Sequence, residues 1–100
     1  MSRWLNFDAV TVPATAGGID LLTPAQQAIL NMKAVVVTPA SEIRIIGQAA
    51  SPVAVAGTAA NSSLVCPGGV PTTILHNGGP LKAICASGTV ATLVAAWVER

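Results

Sequence analysis

Charge is what this sequence most lacks. Lys, Arg, Asp and Glu supply 9% of the chain, against roughly 25% in ordinary soluble domains. The charged residues are Arg3, Asp8, Asp20, Lys33, Glu42, Arg44, Lys82, Glu99 and Arg100, and the formal net charge is +1. Without a basic run to neutralise phosphates, nucleic-acid binding is not expected. A dispersed monomer relies on charge for repulsion. A surface left to Ala, Thr, Ser, Gly and aliphatic residues is better suited to burial against neighbouring subunits, whose interface centres are poor in Lys and Glu. The rival reading, a weakly soluble alanine-rich monomer, leaves the charge deficit unexplained.

Other scarcities exclude more. No stretch approaches the roughly 20 apolar residues that span a bilayer as a helix; the longest candidate, Thr89 to Val98, is about half that length. Met1-Ser2-Arg3-Trp4-Leu5-Asn6-Phe7-Asp8 places Asn and Asp where a signal peptide needs its apolar core. Synthesis and retention in a cytoplasm are therefore expected, with no membrane partner. Two cysteines, Cys66 and Cys85, make no disulfide framework. Both are expected as small buried hydrophobes, and a bridge would require their strands to be neighbours.

Groups able to do chemistry are equally few. His76 is the sole histidine, and its place beside Asn77-Gly78-Gly79-Pro80 predicts an exposed turn residue. Cys66, His76 and Cys85 could supply a nucleophile pair or three zinc ligands, but no Cys-x-x-Cys or His-x-x-x-His spacing supports either. Four carboxylates spread along the chain form no evident dyad. Neither Pro67-Gly68-Gly69-Val70-Pro71 nor Asn77-Gly78-Gly79-Pro80 leads into Lys-Ser/Thr or a helix, so both read as turns rather than phosphate loops. The expectation is a chain that is not an enzyme and uses no cofactor or metal.

What is present is punctuation. Pro and Gly break the chain at roughly ten-residue intervals, and between the breaks lie short runs of Val, Ile, Thr and Leu. That is the pattern of an all-β domain, a small β-sandwich or barrel of about seven short strands over residues 1–100. Residues 1–6 are a candidate for an extended N-terminal arm. Phe7 to Val12 alternates, with Val10 and Val12 on one face and Phe7, Ala9 and Thr11 on the other. Ile19 to Leu22 is a weak run, and Lys33 to Thr38 a continuous apolar one. Glu42 to Gly47 points Ile43 and Ile45 inward, and Val53 to Thr58 is light. Thr72 to Leu75 and Leu81 to Ala86 flank the Asn77-Gly78-Gly79 turn and are predicted to form a hairpin with a longer loop. Thr23-Pro24-Ala25-Gln26 supplies a cap, Pro at the first helical position and a capping-box Gln; a short helix near residues 24–31 competes there with an irregular strand.

The run Gly88 to Val98 is the strongest. Thr89, Ala91, Leu93, Ala95 and Trp97 share one face; Val90, Thr92, Val94, Ala96 and Val98 share the other. Neither face is charged, so the strand is either central in the core or pressed against another molecule. The three aromatics, Trp4, Phe7 and Trp97, lie toward the two ends of the chain. If the ends meet, Trp4, Leu5 and Phe7 come close to Val94, Trp97 and Val98, either inside the protomer or as anchors on a neighbour. These six are the candidate interface residues.

From Lys33 onward the order of elements resembles a class of small virion proteins of tailed bacteriophages. The resemblance rests on Lys33-Ala34-Val35-Val36-Val37-Thr38, on Ile43-Arg44-Ile45-Ile46-Gly47 and on the Pro67-Gly68-Gly69 turn. It closes with Leu81 to Thr89 and Val94-Ala95-Ala96-Trp97-Val98-Glu99, and covers about two-thirds of the chain. It implies a β-sandwich or barrel carried on the virion, often as a capsid decoration (cement) protein or a small head or tail component. It further implies a homo-oligomer, commonly a trimer, bound to the major capsid protein or another virion protein. The class is defined by fold and contacts, so it transfers no functional residues. A receptor- or glycan-binding module on a tail or fibre is the alternative.

Overall fold

The computed structural model describes residues 2–15, 18–46, 54–55, 58–59, 64–76 and 78–99. Its strands are β1 (Arg3–Asn6), β2 (Val10–Pro13), β3 (Ile19–Asp20), β4 (Met32–Pro39), β5 (Ile43–Ile46), β6 (Ala54–Val55), β7 (Thr58–Ala59), β8 (Leu64–Cys66), β9 (Thr72–Leu75), β10 (Lys82–Cys85) and β11 (Thr89–Val98); one helical turn, α1, covers Pro24–Gln27. Two antiparallel sheets form an all-β sandwich. The first runs β1-β11-β4-β9, with β2 also paired to β11; the second runs β3-β10-β5-β8. Ala54 pairs with Ala59 and Val55 with Thr58 in a small third ladder. The light run expected as one strand is thus two, and its Val53, Ala56 and Gly57 lie outside the described residues.

The alternation read from sequence sets the core. Val12, Val35, Val37, Val90, Val94 and Ala96 of the first sheet face Ile43, Ile45, Cys66, Ala83 and Cys85 of the second, with Leu21, Leu22, Met32 and Leu81 completing an apolar interior. Each fully buried aliphatic side chain contributes on the order of 1.5–3 kcal/mol. Strand β11 is central in its sheet, and only one of its faces is buried.

Three expectations need correction. The Phe7 to Val12 run is interrupted. Register sums shift by one between Asn6↔Ala95 and Val10↔Thr92, so an extra residue bulges out near Asp8 and Ala9. The bulge resets parity, and Phe7 packs against the same core as Val10 and Val12 instead of facing away. The second correction concerns the predicted hairpin. Strand β9 pairs with β4 in the first sheet, while β10 pairs with β3 and β5 in the second. Both sides of β10 are therefore occupied. Pro80, having no N–H, has nothing to give a hairpin ladder at that point, and the connection instead crosses from one sheet to the other.

The third is His76, which is buried rather than exposed. Its backbone N–H extends the β9–β4 ladder to the Lys33 carbonyl at 3.0 Å. Its Nε2 lies 3.1 Å from the Gly79 carbonyl oxygen, an acceptor, which assigns the proton to Nε2. The histidine ties the crossing loop together, a structural task.

The helix forms where its signals lie. Thr23 Oγ1 accepts from the Gln26 N–H, and the Gln26 side chain accepts from the Thr23 N–H. It stops at Gln27, short of residue 31, because Asn31 takes a positive φ and Met32 already belongs to β4. Strand β8, Leu64-Val65-Cys66, was missed by the sequence reading; three apolar residues ahead of Pro67 are a faint signal. Among the described residues no helix is long and apolar enough to cross a membrane.

Candidate functional site: the outer face of the first sheet

Residues opposite each other across an antiparallel ladder share a face, so the register fixes what the first sheet turns outward. Leu93 lies opposite Thr38, Ala95 opposite Val36, and Trp97 opposite Ala34. Beyond them Leu75 pairs with Ala34 and Thr73 with Val36, and on the other side Trp4 pairs with Trp97 and Asn6 with Ala95. The stretch along β2 adds Thr11 and Pro13. None of these outward positions carries a charge; charge enters only at the Trp97 end, where the Glu99 carboxylate meets the indole and Lys33 of β4 stands exposed. Leu75 is 88% exposed, Leu93 63% and Trp4 52%. Where the bulge parts β1 from β2, a shallow hollow of about 360 Å³ opens between Asn6, Phe7, Val36, Thr38 and Leu93.

The six candidate interface residues separate cleanly. Trp4 and Trp97 lie together on the outer face, their ring centroids 4.9 Å apart and tilted by 57°, within the range of favourable aromatic pairs. Trp97 also donates from Nε1 to Glu99 Oε2 at 3.0 Å. The two ends of the chain do meet. Leu5 and Phe7 are half-buried, and Val94 and Val98 are buried in the protomer, facing inward. Residues 3–6 of the candidate arm form β1 on the chain's own β11. The sequence reading placed Leu93 and Ala95 on one face with Trp97 but did not single them out. Leu75 had no signal beyond being the last residue of a short β-branched run.

The residues weighed for chemistry are not gathered. Cys66 and Cys85 are buried and free, and they flank Ile43 from opposite sides: Ile43 pairs with Cys85 on β10 and with Cys66 on β8. Two strand spacings, about 9–10 Å, exceed the roughly 7 Å between Cα atoms that a disulfide tolerates. Burial pushes the Cys66 thiol up from its ordinary value, partly offset by a hydrogen bond from the Thr72 side chain. Cys85 Sγ lies 3.3 Å from the Val12 carbonyl oxygen, a thiol donating to the neighbouring sheet. A second hollow, of about 300 Å³, is lined by Asp8, Asp20, Leu22, Thr23 and Gln26, but Asp20 is engaged by Lys82 Nζ at 3.2 Å. Among the described residues no three His, Cys, Asp or Glu side chains come together as a metal site would need. Comparison of the chain with protein-family models, with curated proteins and with solved structures gives no match.

Proposed function

We propose that this chain is a structural, non-enzymatic subunit of a protein assembly, and specifically a capsid decoration protein that binds the major capsid protein of a phage head. The outer face of the first sheet, without charge except at the end where Glu99 meets Trp97, carries the proposal. Strand β11 has ten residues, β4 eight, and β1, β2 and β9 four each; at a strand's rise and spacing the face covers roughly 475 Å² in projection. That is somewhat over half of the roughly 800 Å² per partner of a standard stable interface, and it matches the largest surface patches of monomers, which are often functional. Contact would be by shape and apolar burial. Function would follow from mass action, each bound copy favouring the assembled shell. The virion setting itself rests on the resemblance of strand and turn order from Lys33 onward.

The test is co-sedimentation of the purified chain with empty shells of major capsid protein, and the melting temperature of those shells with and without it. Wild type is expected to pellet with shells and raise their melting temperature, while Leu93→Lys, exposed and uninvolved in the core, abolishes both. Failure to pellet, or pelleting indifferent to Leu93→Lys, would refute the reading. One observation favours a second reading, a glycan-binding module: Trp4 is an exposed ring on an open face with the Asn6 amide on the same strand. Glycan binding lost in Trp4→Ala would establish it instead.

A further inference from the structure

From the two open edges of the first sheet we infer that a second copy of this chain pairs its β1 with β9, head to tail, extending the sheet from one protomer into the next. Ladder parity shows which groups are free. His76 N–H donates to Lys33 O at 3.0 Å, so Thr72, Ile74 and His76 aim their backbone groups at β4. Thr73 and Leu75 therefore aim theirs outward. On the opposite border Phe7 N–H donates to Val94 O at 3.0 Å, so Arg3, Leu5 and Phe7 face β11. Trp4 and Asn6 present the free N–H and C=O groups. Among the described residues nothing pairs with either edge.

Native sheets blunt open edges with short strands, charged side chains, proline, inward charge or a bulge; both edges here are four residues long, and β1 adds Arg3 and the bulge that follows it. Strand β9, Thr72-Thr73-Ile74-Leu75, has no charge, proline or bulge, and Leu75 stands 88% exposed on it. Such an edge is built to be covered by another strand, and β1 of a second copy fits it. Along the sheet β1, β11, β4 and β9 alternate in direction, so a copy placed in the same orientation brings its β1 antiparallel to β9. Matching the free groups sets Leu75 opposite Trp4 and Thr73 opposite Asn6, an apolar pair and a polar pair. The same register sets Ile74 opposite Leu5, both half-buried and facing inward. Cross-strand pairs of these kinds are the stabilising unit of a sheet. Shifting by two residues toward the bulge would put Thr73 against Asp8 and lose the Leu75–Trp4 contact. Self-pairing of β9 about a two-fold axis would oppose Leu75 to Thr73 and leave both β1 edges open.

The contact is heterologous, so it closes into a ring or continues as a filament rather than stopping at a dimer. It also joins the outer faces of successive copies into one continuous surface. The pairing stands on the edges alone, so it can fail or hold independently of shell binding.

Light scattering across a hundredfold dilution supplies the test. Wild type is expected as three or more chains. Thr73→Pro removes only an outward N–H and Leu75→Lys alters only an exposed side chain; both are expected to give folded monomers by circular dichroism. Mixing Asn6→Cys and Thr73→Cys chains under oxidation is expected to give a covalent dimer that neither variant gives alone. Within one chain those positions lie three strand spacings apart, about 14 Å, too far to bridge. A wild-type monomer, a stable dimer, or an oligomer that survives Thr73→Pro and yields no cross-link would each overturn the proposal, whatever the outcome with shells.

Discussion

The two sheets share one core but meet their surroundings differently. Outward positions of the second sheet carry Arg44 and Lys82, with Asp20 paired to Lys82 at 3.2 Å and Glu42 lying 3.9 Å from Arg44. Of its large apolar outward residues described, Ile84 is buried, whereas Val65, opposite Arg44 on β8, is 46% exposed; β7 lies against β5 and β10. The first sheet's outer face carries charge only at one end, where Glu99 meets Trp97, and Leu93, Leu75 and Trp4 stand open. The ion pairs of the second sheet are exposed and each contributes at most about 1 kcal/mol, so they add little stability. What they indicate is which face is made for water. By the same reasoning, the first sheet's outer face is the one we propose to be covered by a partner. The scarcity of charge in the whole chain is thus not evenly spread.

The largest effect should come from breaking what the sheets share. Ile45→Ala leaves a cavity in the common core and is expected to cost about 2–5 kcal/mol, read as a drop in the urea midpoint at unchanged slope. Leu93→Ala, of similar size but on the outer face of the first sheet, is expected to stay within about 0.5 kcal/mol. Equal losses at the two sites would mean that Leu93 is packed within the protomer, and the contrast between the faces would collapse.

A smaller effect tests how the second sheet is bordered. Gly18 precedes β3 with φ +64°, and a Cβ there would sit 2.6 Å from the Ala83 carbonyl oxygen. That backbone oxygen cannot turn aside as a side chain could. Gly18→Ala should cost about 1–3 kcal/mol through strained backbone and loosen β3 from β10, with early hydrogen exchange at Ile19 and Leu21. Stability at the wild-type level would show that β3 is not held as described.

Local signals were legible where local chemistry decides. Thr23, Pro24 and Gln26 specify the helical turn within a few residues; period-two alternation placed Ile43 and Ile45 inward and divided residues 88–98 into two faces without saying which is buried. Partner choice was not legible. Nothing in Thr72 to Leu75 says that it pairs with β4 rather than with the next strand in sequence, because pairing is decided by which strands still have a free side. The bulge near Asp8 escaped notice because alternation restarts in the right phase after it. His76 was misjudged for a similar reason: neighbouring Gly and Pro suggest a solvent-facing turn, yet the loop passes between the sheets and closes over the ring. The outer face was half-visible, since Leu93, Ala95 and Trp97 fell on one side of the strongest run. Leu75 and Val36 join them only through a register that the sequence does not state.

The smallest effect expected is a pH dependence at the seam between the sheets. Cys66 on β8 is completely buried, and burial raises its pKa above 9.0, more than the hydrogen bond from Thr72 of the first sheet lowers it. The unfolded thiol therefore ionises at lower pH than the folded one, and unfolding releases a proton in the window between the two values. The stabilisation tied to the neutral thiol is fully present below about pH 9 and declines as pH rises toward the folded pKa. The chain has no tyrosine, which leaves this window free of phenol titration. Urea midpoints of wild type and Cys66→Ala, compared between pH 7 and 10.5, cancel the lysine contributions common to both. The wild-type curve should fall more steeply above pH 9 than the variant's. Thr72→Val, which withdraws the hydroxyl from the sulfur, should move the folded pKa higher and steepen the fall further. Parallel curves for all three would mean that Cys66 ionises as readily in the folded protein as in the unfolded chain, and that the seam is wet rather than closed.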